Sequence, residues 1–134
     1  MHLDLSSLEK ATASLARALT RAAGAPGDEE LRDACIQRFE YTFELCWKML
    51  KRRLEQDLPT PAEVDGYSFR HLFRVGGERG LVAHVEAWFE YRDKRNLTSH
   101  TYDDRRAQEV FAVLSRFLPD ALDLLERLRS ADGG

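Results

Sequence analysis

Between Asp28 and Asp57, apolar side chains recur every three or four residues at Leu31, Cys35, Phe39, Phe43, Cys46, Trp47, Leu50 and Leu54. They wrap so wide a face of one helix that it must be buried on more than one side. A chain with this segment folds around a long central helix. Asp28 has the chemistry of its N-cap, and Glu29 and Glu30 place negative charge in its first turn.

The flanking segments supply the helices that cover it. A narrow stripe of Leu8, Ala11, Leu15, Ala18, Leu19 and Ala22 predicts a helix from Ser6 or Ser7 to the break at Gly24-Ala25-Pro26-Gly27. Leu81, Val85, Trp88 and Phe89 define another helix that carries the chain into Arg95. Asp103 or Asp104 can cap a last helix on which Ala107, Val110, Phe111, Leu114, Phe117, Leu118, Leu122, Leu125 and Leu128 repeat. Pro119 interrupts that repeat and is expected to kink the helix rather than end it. Thr60-Pro61-Ala62-Glu63 matches a capping box with Pro at the first helical position, predicting a short helix towards Val75. Gly76-Gly77-Glu78-Arg79-Gly80 lacks the Lys-Ser or Lys-Thr pair of a phosphate cradle and reads as a turn. No segment alternates at period two. The expected fold is therefore all-α, an up-and-down antiparallel four-helix bundle with an extra short helix, spanning residues 1–134 as a single domain.

Bulk properties narrow the function classes. The N-terminal residues have neither the basic segment nor the apolar run of a signal peptide, and no later run is long and apolar enough to span a bilayer, so a cytoplasmic protein without a membrane partner is expected. Cys35 and Cys46 lie on one predicted helix, roughly 16 Å apart along its axis, beyond disulfide reach. A net charge of −3 gives no global attraction to nucleic acid; any RNA binding needs a local basic surface. Arg92, Lys94, Arg95, Arg105 and Arg106 offer one around His100, although Glu90, Asp93, Asp103 and Asp104 lie among them.

Chemistry concentrates in Arg95-Asn96-Leu97-Thr98-Ser99-His100-Thr101-Tyr102. Arg stays charged at any working pH and can grip two phosphate oxygens, while His titrates in the physiological range when unperturbed. With RNA as substrate, His100 can remove the ribose 2′-hydroxyl proton or protonate the leaving oxygen, and Arg95 can stabilise charge on the phosphoryl oxygens. The nucleophile belongs to the substrate, so the reaction calls for no metal or other cofactor. Two copies of the octet, brought together in a homodimer, would supply an acid and a base. The same residues also fit an ordinary helix end, with Arg95 paired to a carboxylate, His100 capping the last helix and Tyr102 packed on the bundle.

Context outside the octet adds a resemblance. Ile36-Gln37-Arg38-Phe39-Glu40-Tyr41-Thr42-Phe43-Glu44-Leu45-Cys46-Trp47-Lys48 and Arg95 to Asp103 resemble, in order and separation, the two signatures of the nucleotidyltransferase substrate-binding family of HEPN proteins. The resemblance runs from about Leu31 to Leu125 and is weakest across Thr60 to Gly80. It implies a HEPN bundle, usually a homodimer, that binds a cognate minimal nucleotidyltransferase. Two functions follow from it. In one, the chain is the toxin of a toxin–antitoxin pair, a metal-independent endoribonuclease using Arg95 and His100 and neutralised when the nucleotidyltransferase antitoxin transfers AMP to Tyr102. In the other, it is a non-catalytic substrate-binding subunit of a two-component nucleotidyltransferase. Asn96 is a supporting residue beside Arg95.

Glu40 and Glu44 stand one turn apart on the central helix. Glu44 can pair with Lys48, while Glu40 meets an Arg on an adjacent helix or orients Arg95. His84 shares a helical face with Leu81 and Trp88, which favours packing or an interface. His2, His71, His84 and Cys35 show no metal-site spacing. Trp47 and Trp88 occupy apolar positions suited to the core or a dimer contact.

Overall fold

The wide-faced segment is a helix over Glu29–Asp57 that packs against every other helix of the chain in a computed structural model describing residues 2–133. In chain order the α-helices are α1 (Ser6–Ala23), α2 (Glu29–Asp57), α3 (Phe69–Glu78), α4 (Val85–Leu97) and α5 (Asp104–Gly133), with 3-10 helices at Pro61–Gly66 and Thr98–His100. The Asp28 side chain caps α2 by accepting the Leu31 N–H at 3.1 Å.

Ion pairs fix the helix directions. Arg32 near the start of α2 meets Asp104 at the start of α5 at 2.6 Å. Arg53 near the end of α2 meets Asp132 near the end of α5. These two helices therefore run parallel. Asp132 also accepts the Leu3 N–H at 2.9 Å just before α1, which places the start of α1 at that end and makes it antiparallel to both. His84 contacts Asp120 and Glu90 contacts Arg116, so α4 runs antiparallel to α5. For the four long helices α1, α2, α4 and α5 the order is up, down, up, down, as expected for this bundle.

Between these helices lies an aromatic core. Phe39 meets Phe117 edge-on at 4.8 Å, Tyr91 meets Phe117 at 5.1 Å, and Trp88 stacks on Phe73 at 5.0 Å. Each such fully buried side chain contributes roughly 1.5–3 kcal/mol. Tyr91 donates its hydroxyl to Asp120, and burial together with that bond pushes the phenol pKa well up. Cys35 and Cys46 are buried free thiols, and burial raises both pKa values, which suits packing rather than redox chemistry.

Several local expectations need correction. The predicted helix from Thr60 towards Val75 is broken in two. Thr60 makes no side-chain capping bond, Pro61–Gly66 forms only a 3-10 helix, and α3 begins after Ser68, whose hydroxyl accepts the His71 N–H at 3.1 Å. Gly76 and Gly77 lie inside α3 rather than in a turn, because they let it approach its neighbours. A Cβ on Gly76 would sit 3.0 Å from Val82 Cγ2 and 3.1 Å from Leu50 Cδ1, and one on Gly77 only 2.6 Å from Val85 Cγ2. The turn is at Arg79 and Gly80, where Gly80 has a φ of 77°. α4 starts at Val85, four residues later than its apolar spacing implies, with Leu81 and Val82 buried in the preceding connection. Leu122 is 43% exposed and leaves the buried stripe of α5 to Ala121, Leu124, Leu125 and Leu128. The helix continues through Pro119 as expected.

No helix among the described residues is long and apolar enough to cross a membrane.

Candidate active site

α4 ends at Leu97, just after its run of charged and polar residues from Arg92 to Asn96. Thr98 folds its hydroxyl back onto the Arg95 carbonyl at 2.7 Å, and the chain passes through the 3-10 turn Thr98–His100 before α5 starts. Asp103 caps α5 by accepting the Arg105 N–H at 3.0 Å, while the His100 carbonyl accepts the Asp103 N–H. Arg95, His100 and Tyr102 are thus confined to one short corner between two helices.

Arg95 is held from two sides. Its Nη1 donates to the Thr98 hydroxyl at 3.1 Å, and its Nε lies 3.2 Å from Glu44 Oε1 on α2. That nitrogen is buried yet not aligned for a hydrogen bond. The contact is therefore chiefly charge attraction, with both side chains about one-third exposed at 31% and 34%. Nη2 makes no hydrogen bond to the described residues.

The partner carboxylate differs from the one the sequence suggests. Glu44 pairs with Arg95 instead of Lys48, and its other oxygen accepts the Trp47 indole N–H at 3.1 Å. Glu40 borders the same shallow depression, with Gln37, Tyr41, Glu44 and Arg95, but lies one turn farther from the guanidinium's point of contact. The i to i+4 spacing of the two glutamates was visible in the sequence; the rotation of α2 that decides between them was not.

His100 is partly exposed, and its ring centroid is 6.2 Å from that of Tyr102 in an edge-on arrangement. Tyr102 is 88% exposed, so it does not pack on the bundle. Asn96 is exposed on α4, next to Arg95 in the chain. The basic surface around this corner is partly neutralised, since Arg106 lies 4.0 Å from Asp103, while Arg92 keeps its charge and lies over the Phe69 ring at 4.9 Å. His84 occupies the N-cap position of α4 and contacts Asp120 at 2.9 Å, away from the packing face expected for it. Trp88 is core, whereas Trp47 is only partly buried.

Thr98 was not singled out in the sequence, although its position three residues after Arg95 is the signal that could have found it. Tyr67 and Phe69 were missed as neighbours of this corner because the path from residue 60 to residue 80 could not be read, and Trp47 was assigned to the core or a dimer contact instead.

Comparison with known proteins gives a family and a fold. The chain matches the family model described as nucleotidyltransferase substrate binding protein like over residues 3–130. It is 43% identical over 94 residues to a Haemophilus influenzae protein named "Probable ribonuclease HepT", a match covering 70% of this chain. The chain spans 64% of the length of that curated relative. A solved Haemophilus influenzae structure, described as the fold of a substrate binding domain of a nucleotidyltransferase, superposes with a TM-score of 0.89 at 35% identity, covering 94% of this chain and 99% of that one. A crystal structure from Thermus thermophilus superposes with a TM-score of 0.76 at 33% identity, covering 91% and 98%.

Proposed function

The chain belongs to the nucleotidyltransferase substrate-binding family, and we propose that within it the protein is a HEPN toxin, a metal-independent endoribonuclease. The observation that carries this reading is the corner at the end of α4. There a restrained Arg95, with one nitrogen uncommitted, shares a single short turn with a partly exposed His100. A relative named as a probable ribonuclease is 43% identical over the aligned region, which supports the same reaction class.

In the proposed reaction Arg95 holds the non-bridging oxygens of the scissile phosphate. A histidine removes the 2′-hydroxyl proton, the 2′-oxygen attacks phosphorus, and the bond to the 5′-oxygen breaks as that oxygen gains a proton. The products are a 2′,3′-cyclic phosphate and a 5′-hydroxyl. A homodimer provides the second histidine, so that His100 of one protomer acts as base and that of its partner as acid. Glu44 and Thr98 act as positioning residues by limiting the rotamers of Arg95, while Asn96 and Glu40 border the site.

Tyr102 is the proposed control point. Its exposure leaves the hydroxyl open to AMP transfer by a cognate minimal nucleotidyltransferase. The added phosphate, close to His100, would compete with RNA for Arg95.

The second reading is a non-catalytic substrate-binding subunit of a two-component nucleotidyltransferase. It is favoured by the structural relative described as such a domain. Incubating labelled tRNA and mRNA with chelator and either wild type or Arg95→Ala separates the two. Cutting by wild type that is lost in the variant supports the ribonuclease. Folded, unmodified proteins that both leave the RNA intact support the binding subunit.

A further inference from the structure

Behind Glu44, on the side away from the shallow depression, lies a cavity of about 440 Å³ between α2, α4 and the segment that turns from the 3-10 helix Pro61–Gly66 into α3. Its size falls in the usual range for small-ligand sites, roughly 300–1,000 Å³. Trp47, Tyr67 and Phe69 give it aromatic walls, and Arg92 and Asn96, one turn apart on α4, complete its rim. We propose that this cavity is a nucleobase subsite, which holds the base of an RNA nucleotide next to the phosphate that Arg95 grips. The proposal rests on the ribonuclease reading of Arg95 and His100 and adds to it the place where the substrate is read.

Three observations specify the occupant. First, the charged groups in the wall are mostly paired within the protein. Lys51 and Asp65 meet at 2.8 Å, the Asp65 bond raising the Lys51 pKa, and Glu44 is committed to Arg95. The cavity therefore offers little to a fully charged ligand and suits a neutral, flat group. Second, the surfaces on offer are planar. Trp47 and Tyr67 are only partly buried, and the Arg92 guanidinium lies over Phe69 at 4.9 Å as a further plane. Bases of single-stranded RNA stack on aromatic rings and guanidinium planes in this way. Third, the position fits a nucleotide. Glu44 borders both the cavity and the guanidinium of Arg95, and Asn96 follows Arg95 directly in the chain. A base in the cavity would be linked through its ribose to a phosphate on the Arg95 side, with the Asn96 amide available to its polar edge.

The Lys51–Asp65 pair has a role in this arrangement. It ties the 3-10 helix to α2 just before Tyr67 and Phe69 in the chain.

Trp47 supplies the assay. It lines the cavity, while Trp88, the other tryptophan, is sealed in the aromatic core at 1% exposure. Wild-type protein is titrated with the four 5′-ribomononucleotides and with ribose 5-phosphate, which has the phosphate and sugar but no base. Saturable quenching of indole fluorescence by the nucleotides, and none by ribose 5-phosphate, is the expected result. Tyr67→Ala and Arg92→Gln should each weaken binding by about tenfold, in line with the usual contribution of one stacking contact. Arg92 is exposed, so its variant guards against a folding defect in the other. Equal binding of ribose 5-phosphate, no saturable binding of any nucleotide, or unchanged affinity in the folded Arg92→Gln protein would each overturn the proposal. RNA cleavage is read separately. Protein that cuts RNA but binds no nucleotide loses the subsite and keeps the ribonuclease; protein that binds nucleotides but cuts no RNA keeps the base site and loses the ribonuclease.

Discussion

Glu44 Oε1 stands 3.2 Å from Arg95 Nε, joining the middle of α2 to the last turn of α4 at the point where the corner that carries His100 begins. The same carboxylate accepts the Trp47 indole N–H through its other oxygen. One glutamate therefore contacts the proposed phosphate-binding cation on one side and a cavity-lining aromatic on the other.

Glu44→Gln should lower kcat/KM for RNA cleavage by about tenfold, through a less well-held Arg95, with an unchanged helical circular dichroism spectrum. Glu40→Gln should cost less, because Glu40 only borders the depression. A larger loss in the Glu40 variant would remove Glu44 from its assigned role.

Gly77→Ala should destabilise the fold by about 1–3 kcal/mol in denaturant unfolding, since an added methyl meets Val85 and the stiff β-branched side chain has few rotamers to retreat into. The close approach is 2.6 Å. Gly66→Ala meets nothing within 4 Å and lies outside the positive-φ region, so it should be neutral or stabilising by up to about 1 kcal/mol.

The bundle was legible because its signal is repetitive. Eight apolar positions on α2 and nine on α5 constrain helix phase many times over, and the loss of Leu122 from the buried stripe leaves the phase of α5 unchanged. Residues 60–80 carry no such redundancy. There the outcome depends on whether Thr60 or Ser68 caps, and on glycines whose value is the space they leave for Leu50, Val82 and Val85. At the candidate site, the placing of Arg95, His100 and Tyr102 at one helix end was legible from local spacing. Glu44 was not, because its pairing depends on how α2 is rotated relative to α4.

Asp132 closes the far end of the bundle. The Leu3 N–H, with His2 and Arg53, holds its carboxyl below the ordinary carboxylate range. A depressed pKa in the folded state means that the stabilisation is complete above the unfolded pKa and is lost as pH falls through the folded one. Asp132→Asn should therefore lower the Tm at neutral pH, and the gap from wild type should narrow as the pH falls below the ordinary carboxylate range. A gap that persists undiminished in acid would show that the clasp is not electrostatic.

Tyr102→Phe should leave RNA cleavage near the wild-type level, because the hydroxyl is not assigned to the chemistry, but should abolish control by the partner. With the cognate nucleotidyltransferase and ATP, wild-type protein should gain the mass of one AMP and lose activity, whereas the variant should do neither. AMP addition to the Phe variant would place the modification on another residue.

The most direct test of the account is the chemistry of the RNA ends made in chelator by wild type and by His100→Ala. The account predicts 2′,3′-cyclic phosphate and 5′-hydroxyl ends from wild type and their loss in the variant. Equal, low background from both folded and unmodified proteins, or 3′-hydroxyl ends from wild type, would contradict it.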